Sequence, residues 1–339
     1  MTFTTSNAGG ADLSSFVSKA FLERYRPALL LDRYCAKDTI PTRSSSTWKK
    51  QRVENLAPIT GYDQPTTKAV VEGVVPTETI PTITNYSIKM NQYGSYTRVS
   101  DVIDLTHETQ VFGEFAKLNN ENMQNTIERV NYAGIVAGTN SYLALDAAGN
   151  TTGSRASIAG TINAPILDTI IKKLQVGNAP FMFQKAIGAS TGFNTTGILP
   201  AYIGIVESNV LKDLSQVPGF VAVNLYPSGT AEKDEVGAYR HIRFFLSNLA
   251  PVLAGVGAAP SGTVSTAGAN DVFQVLVFGK PAVTLVDIAS SMQVKVINPG
   301  TADSGTPLGQ WGSIGWKAML ASIITNDAGI VRLECAATL

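Results

Sequence analysis

A chain of 339 residues is long enough for two packed domains or for one large, elaborated domain. Only 15% of its residues are charged, where about a quarter is usual, and 26 Lys and Arg balance 26 Asp and Glu. This balance excludes a global field that recruits nucleic acid or anionic lipid, and the low charge indicates that partners cover much of the surface.

The sequence predicts neither a membrane span nor a signal peptide. No apolar run reaches the ~20 residues needed to cross a bilayer. Residues 1–10 are polar and lack the basic-then-apolar build of a secretion signal. The two cysteines, Cys35 and Cys335, have no CxxC spacing, so we expect reduced, buried thiols in a cytosolic product.

The N-terminal unit, residues 1–47, contains a predicted amphipathic helix. Asp12 can cap this helix, Phe16 and Phe21 lie on its apolar side, and Pro27 ends or kinks it. Two interpretations stay open. The helix either packs on its own domain, or it is an arm that reaches a neighbour or lines an internal space.

Residues 48–100 are predicted to be extended, because several prolines between positions 58 and 81 exclude a long helix. Tyr86, Ile88 and Met90 alternate with polar neighbours, as residues of a half-buried strand do. An isolated two-stranded arm is only marginally stable in water. We therefore expect this segment either to lie on its own core or to cross another molecule.

The longest periodic stretch, residues 106–138, is predicted to be one helix of roughly 50 Å. Thr106 is its expected N-cap and Gly138 its expected stop, while Gly113 and Gly134 weaken it by about 1 kcal/mol each. Its apolar residues return to one face at helical spacing: Phe112, Phe115, Met123, Ile127 and Val130. Such a helix is a support on which sheets can lie.

The remaining chain is predicted to be mostly strands after a second helix at 164–175. The candidate strands are 202–206, 220–225, 241–246, 272–278, 283–288, 292–297 and 330–335. In the last of these, Val331, Leu333 and Cys335 are expected to face the core. Arg332 and Glu334 alternate with them and are expected to face solvent.

Two segments are predicted to be loops. Residues 139–161 are rich in small and polar types, and we expect a surface insertion that carries little chemistry. Residues 247–269 lie in a stretch without any charged residue. This neutral loop is either a flexible surface or a segment pressed against a like neighbour, and we favour the interface.

Three short motifs resemble active-site loops, but each lacks a residue that the chemistry requires. The Gly-Val-Gly motif at 255–257 has Pro260 where a dinucleotide loop has its third glycine. The Gly-Lys pair at 279–280 lacks the first glycine of a phosphate loop. Ser313 follows Trp311 instead of the glycine of a nucleophile elbow.

The titratable residues do not form an active-site pattern either. His107 and His241 lie on unrelated elements and belong to no zinc-type cluster. Asp101 and Asp104 are expected to be capping or solvated charges rather than an acid–base pair. We therefore expect no catalytic residues, no metal ligands and no cofactor, and we predict that the protein is not an enzyme.

Several motifs carry a resemblance to a known family. They are the Pro-Leu-Gly-Gln-Trp-Gly-Ser-Ile-Gly-Trp-Lys run at 307–317, the segments 323–327 and 330–334, the Gln-Tyr-Gly-Ser-Tyr motif at 92–96, the Ser-Asp pair at 100–101 and the segment 276–280. With these motifs the chain resembles the major capsid proteins of tailed bacteriophages. More narrowly, it is similar to the family found in short-tailed phages with large genomes.

The resemblance implies an α+β architecture, the Hong Kong 97-like capsid fold. Its expected divisions are an N-terminal arm and helix at 1–47, an extended β-hairpin loop with the start of the peripheral sheet at 48–100, a peripheral domain at 101–195 with the spine helix 106–138, an axial domain at 196–288, and return strands to the peripheral domain at 289–339. The final strands are expected to lie beside the spine helix.

The same resemblance implies a structural protein that self-assembles into hexamers and pentamers of an icosahedral phage head. The head would form in the host cytoplasm, enclose double-stranded DNA without sequence-specific contacts, and meet a portal protein and any scaffolding or decoration proteins. Alternatives are an encapsulin-like shell around protein cargo, or a tail or surface-layer component. Five residues are the sites whose change we expect to harm folding or assembly: Trp311, Gly312, Gly315, Trp316 and Lys317.

Overall fold

A computed structural model of the chain describes residues 29–56, 72–75, 78–106, 111–145, 153–184, 197–226, 231–302, 305 and 307–339. The helices are α1 (Leu31–Tyr34), α2 (Asp101–Thr106), α3 (Val111–Val136), α4 (Ala164–Val176) and α5 (Ser208–Gln216). Within the described ranges, no helix has the length and apolar character needed to span a bilayer.

The strands, in chain order, are β1 (Ala36–Ile40), β2 (Thr47–Val53), β3 (Ile83–Lys89), β4 (Asn91–Ser100), β5 (Ser141–Leu143), β6 (Tyr202–Val206), β7 (Phe220–Ala222), β8 (Glu235–Tyr239), β9 (Ile242–Leu246), β10 (Val252–Leu253), β11 (Ser265–Thr266), β12 (Ala269–Asn270), β13 (Val272–Phe278), β14 (Val283–Ile288), β15 (Gln293–Ile297), β16 (Trp311–Ile324) and β17 (Ile330–Cys335).

Two mixed sheets form the body of the molecule. In the first sheet, β16 pairs antiparallel with β4 along one side and with β14 and β15 along the other, and β1 pairs parallel with β14. The second sheet has the order β5-β17-β13-β6-β9-β8-β7, with β10 beside β13. The chain crosses between the sheets from β4 to β5, and again at the β13–β14 and β16–β17 connections.

These pairings correct the expectation that all final strands lie beside the long helix. β16 does lie there, but β17 pairs with β13 and β5 in the second sheet. Conversely, β14 was placed in the axial segment 196–288 but pairs with β16 in the first sheet. Consecutive strands thus join different sheets, which hydrophobic alternation alone does not reveal.

Helix α3 lies on the first sheet through its apolar face. Met123 packs with Trp316, Ala318 and Leu320 of β16, and Ile127 and Val130 border the same cluster. Burying this face removes apolar surface from water, at about 25 cal/mol per Å². The predicted support helix is therefore present, with one sheet packed against it.

The predicted bounds of this helix are wrong at its start. The side chains of Ser100 and Asp101 accept hydrogen bonds from the N–H groups of Ile103 and Val102, so helical structure, as α2, begins before the expected N-cap. Thr106 is the last residue of α2, and α3 begins at Val111. Residues 107–110 lie outside the described ranges, and the 26 residues of α3 by themselves span about 39 Å.

Close packing of α3 on β16 depends on a glycine. Gly134→Ala is expected to lower the free energy of unfolding by about 1–3 kcal/mol, because its Cβ would lie 2.6 Å from the backbone oxygen of Ser322. Gly113→Ala on the same helix is the matched control. Its Cβ would meet nothing within 4 Å, so helix propensity should raise stability by up to about 1 kcal/mol. Urea unfolding measures both, and equal gains would contradict this packing.

Most of the other predicted elements are confirmed. The helix at 164–175 is α4, whose N-cap Asn163 accepts a hydrogen bond from the N–H of Ile166 at 3.0 Å. The strands predicted at 202–206, 272–278, 283–288 and 330–335 are β6, β13, β14 and β17. The strands predicted at 241–246 and 292–297 each begin one residue later, and the one at 220–225 ends early in a 3₁₀ turn. Helix α5 and strands β8 and β16 were not among the predictions.

The two predicted loops contact each other and are not free of structure. The N–H of Ala258 donates to Ile158 O at 3.0 Å, and Asn270 Nδ2 donates to the same oxygen at 3.3 Å. Short strands β10, β11 and β12 lie in or beside the 247–269 segment. Both cysteines are free thiols, as expected, but Cys35 is only half-buried while Cys335 is fully buried.

The extended segment forms an antiparallel hairpin, β2–β3. Its base packs on the first sheet, where Trp48 and Met90 join Ile40, Val286 and Ala321 in one cluster. Its outer end does not pack on the described chain in the same way, since Val75 is 89% exposed and Ile80 is 75% exposed. The predicted N-terminal helix, with Asp12 and Pro27, lies outside the described residues.

Candidate functional site

All five residues predicted to matter for folding or assembly lie on β16. Side chains alternate between the two faces of a strand, so Gly312 and Trp316 belong to the face covered by α3. Trp311, Gly315 and Lys317 belong to the opposite face. The structure thus divides these residues into a buried group and an outward group.

Trp316 belongs to the interior and is 5% exposed. Its ring packs beside Met123, and its Nε1 donates a hydrogen bond to Asn122 Oδ1 at 3.1 Å. The bond joins β16 to α3, and it satisfies the one polar atom of a buried indole. Trp316 therefore holds the long helix on the sheet by both packing and hydrogen bonding.

The two glycines of the site allow backbone segments to approach closely. A Cβ at Gly312 would lie 2.6 Å from Pro299 N, and a Cβ at Gly315 would lie 2.7 Å from the Cβ of Tyr96. Separations this short do not occur for real side chains, so either substitution would push neighbouring strands apart. The glycines are a packing requirement of this sheet.

The outward side of the first sheet carries basic and aromatic side chains. The Arg98 guanidinium lies 4.3 Å from the centre of the Trp311 ring and 5.4 Å from that of Tyr96. Lys317 is exposed, and Lys295 is exposed on the neighbouring strand, where it pairs with Gly315. We call these five residues the basic face: Tyr96, Arg98, Lys295, Trp311 and Lys317.

Strands β4, β15 and β16 contain no Asp or Glu, so nothing on them neutralises the basic face. Sequence reasoning missed this surface because its residues come from three strands, and β4 lies far from β15 and β16 in the chain. No single stretch interleaves bases and aromatics, and only the pairing register brings them together.

A buried ion cluster lies in the second sheet and corrects the prediction for β17. Glu334 is 0% exposed, and its carboxylate lies 2.6 Å from Arg155 Nε and 2.9 Å from Arg332 Nε. Gln274 Nε2 donates to the same carboxylate at 3.2 Å. Burial alone would raise the pKa of Glu334, but the hydrogen bonds of Arg155 and the charge of Arg332 hold it below its ordinary value.

The cluster also reaches the long helix. Arg332 donates from Nη1 to the carbonyl oxygens of Val136 and Gly138, at the C-terminal end of α3, where a cation is favoured. Arg332 and Glu334 thus do not face solvent, because the C-terminal end of α3 and Arg155 cover the face of β17 that carries them. The insertion containing Arg155 was expected to carry little chemistry, yet it supplies one of the two cations.

Comparison with known proteins identifies the fold. No family model and no curated protein matches the sequence. Among solved structures, the capsid of the cyanophage P-SCSP1u matches 100% of both chains at 16% identity and a TM-score of 0.61. The capsid of cyanophage Pam1 matches 99% of both chains at 11% identity and a TM-score of 0.64. The capsid of Ralstonia phage GP4 matches 99% of both chains at 12% identity and a TM-score of 0.64. The chain has a phage capsid fold.

The residues considered for catalysis are dispersed within this capsid fold. His241 Nδ1 contacts the carbonyl oxygen of Pro200 at 2.8 Å, and Asp101 caps α2. Ser313 lies within β16 and not at a turn, while His107 and the side chain of Asp104 lie outside the described residues. Over the part of the chain that is described, no three His, Cys, Asp or Glu residues come together as a metal site would require.

Proposed function

We propose that this protein is the major capsid protein of a tailed phage, with the Hong Kong 97-like form of the capsid fold. Copies of it assemble into hexamers and pentamers of an icosahedral head that encloses double-stranded DNA. The observation that carries the proposal is the match to phage capsid structures over 99–100% of the chain. The protein acts as structure and not as a catalyst.

The described architecture offers a counterpart for four divisions of that fold, while most of the N-terminal arm lies outside the described residues. Helix α3 corresponds to the spine, the β2–β3 hairpin to the extended loop, the first sheet to the peripheral domain and the second sheet to the axial domain. Sheet pairing favours an axial boundary in the β13–β14 connection, near residues 279–282, over the one expected at residue 288. It also favours assigning β17 to the axial division.

The exposed apolar side chains of the hairpin support the proposal that copies of the chain associate and cover one another's surfaces. A two-stranded hairpin is marginal in water, and exposed side chains such as Val75 and Ile80 gain by being covered. Interfaces between obligate partners bury roughly 2,000 Å² or more, which accommodates surface of this kind. Because different patches meet at each contact, repeated copies close into rings when the rotation permits.

Charge indicates which surface of another copy meets the hairpin. Residues 55–80 are acidic on balance, with Asp63, Glu72 and Glu78 against Lys68, while Glu54 already pairs with Arg52 of β2. The basic face carries the opposite charge and is open on the described chain. We propose that the outer end of the hairpin of one copy lies over the basic face of the next, since complementary potentials set the register of an interface.

Lys317→Glu is therefore expected to raise the critical concentration for assembly by about fivefold. One exposed charge pair is worth up to about 1 kcal/mol, and about 1.4 kcal/mol corresponds to tenfold. The matched control is Lys172→Glu, which reverses an exposed lysine of α4 away from the basic face and should assemble normally. Sedimentation of particles against free subunits measures the change. Equal assembly of the two variants would contradict the proposed contact, and partial rescue by Glu78→Lys would support it.

The contents of the particles test the proposed function. Particles purified from the infected host, treated with nuclease and then opened, are expected to release protected double-stranded DNA. Closed shells that hold protein and no DNA would instead indicate the encapsulin-like alternative. Filaments or flat arrays would indicate a tail or surface-layer component.

A further inference from the structure

Helix α3 carries a carboxyl group inside the protein, at the point where the N-terminal part of the chain joins the body. Glu128 is 2% exposed. Its Oε1 accepts hydrogen bonds from the N–H groups of Leu30 at 2.8 Å and Leu31 at 2.9 Å. Both leucines are fully buried in a cluster with Tyr132 and Ile135 of the same helix. One side chain of α3 thus fixes the backbone at the start of α1.

Among the residues that the structure describes, the groups that surround Glu128 do not supply a countercharge. From α1, Asp32 faces it as a second acid, and Cys35 follows as a neutral thiol. From α3, the Tyr132 hydroxyl is one turn away. The nearby cations form ion pairs with other acids: Lys37 Nζ lies 2.7 Å from Asp32 Oδ1, and Arg33 Nη2 lies 3.4 Å from Asp234 Oδ2. The backbone N–H groups are the donors that satisfy the carboxyl group.

These surroundings decide which protonation state of Glu128 is favoured while residues 30–34 lie on α3. Burial raises the pKa of Glu128, backbone hydrogen bonds from Leu31 and Leu30 oppose that effect, and the charge of Asp32 adds to it. The balance leaves the pKa of Glu128 above its ordinary value of 4.5. The neutral carboxyl group keeps an oxygen that accepts the two N–H bonds, without the cost of a buried charge.

We propose that Glu128 is a proton-controlled anchor, which holds residues 30–34 on α3 when neutral and weakens its hold when ionised. The anchor lies within a single subunit, so it can be tested without shell formation and does not depend on the proposed function.

The sign of the pH dependence follows from linkage. When residues 30–34 detach, water reaches Glu128 and its pKa returns towards 4.5, so the attached state binds the proton more tightly. Attachment is therefore strongest below pH 4.5. It weakens as the pH rises through the higher pKa of the attached state, by about tenfold for each unit between the two values.

Hydrogen exchange of the full chain, read by mass spectrometry between pH 4.5 and 8, tests the anchor. The protection factor of a peptide covering residues 30–34, corrected for intrinsic exchange, is expected to fall as the pH rises. Glu128→Gln keeps the acceptor oxygen but cannot ionise, so its protection should not change with pH. A pH-independent wild type, or a Gln variant with the wild-type slope, would overturn the proposal.

Two controls separate the anchor from a general loss of structure. A peptide from α4 in the same samples reports on the fold, and its protection should match in the wild type and in Glu128→Gln. Asp32→Asn removes the second acid without touching the hydrogen bonds, so the fall in protection should move to lower pH. If Glu128→Gln also loses protection in α4, Asp32→Asn provides the test instead. An unchanged pH dependence of protection at residues 30–34 in Asp32→Asn would then refute the role of Glu128.

Discussion

Trp316→Ala is expected to lower the free energy of unfolding by about 3–5 kcal/mol and to abolish normal particles. The substitution empties a site between α3 and β16 that a 5% exposed indole now fills. It also leaves the side-chain oxygen of Asn122 without the donor that it has at 3.1 Å. Urea unfolding of the soluble subunit and electron microscopy of particles measure the two effects.

Trp311→Ala is the matched control for this variant. It removes the same type of side chain from the same strand, but from the half-buried outward face, where the main loss is the contact with Arg98 at 4.3 Å. We expect a cost of about 1 kcal/mol. If Trp316→Ala unfolds like the wild type and still forms normal particles, Trp316 does not hold the helix on the sheet.

Glu334→Ala is expected to destabilise the protein by about 3–5 kcal/mol, because it removes a fully buried carboxylate and leaves Arg332 without its ion pair. Arg155→Ala should cost less, since Arg155 is partly exposed and Glu334 then keeps Arg332. Chemical unfolding at neutral pH measures both. A larger loss for Arg155→Ala would contradict this ranking.

The same carboxylate predicts a pH dependence that can be checked separately. The pKa of Glu334 lies below its ordinary 4.5, so its contribution to stability is present above pH 4.5 and is lost as the pH falls through the lower, folded-state value. Glu334→Gln should therefore lose less stability on acidification than the wild type does. Parallel curves for the two proteins below pH 4.5 would show that the cluster does not titrate as described.

The elements that the sequence predicted well are those in which one local pattern suffices. Helix α4 has a capping Asn163, a proline in its first turn and apolar residues at helical spacing, and all of these signals agree. The long helix was found by its periodicity, but its start was not. The caps at Ser100 and Asp101 lie upstream of the expected one, at the start of α2, where no apolar periodicity marks them.

The failures come from contacts between distant parts of the chain. Alternation predicts that Glu334 faces outward, because it assumes that only one face of the strand is buried. Its partners Arg155 and Gln274 come from other segments of the chain, which alternation does not take into account. Strand β16 was missed because Gly312 and Gly315 lower strand propensity, and only the approach of Pro299 and Tyr96 explains them. The basic face could not be predicted either, because only the pairing register of β4, β15 and β16 brings its residues together.

Electron microscopy and analytical ultracentrifugation of the purified full-length protein at high concentration test most directly whether copies of this chain complete one another. We expect closed shells built from rings of five and six subunits, with each hairpin resting on an adjacent subunit. A stable, compact monomer at high concentration, with its own body covering Val75 and Ile80, would contradict it.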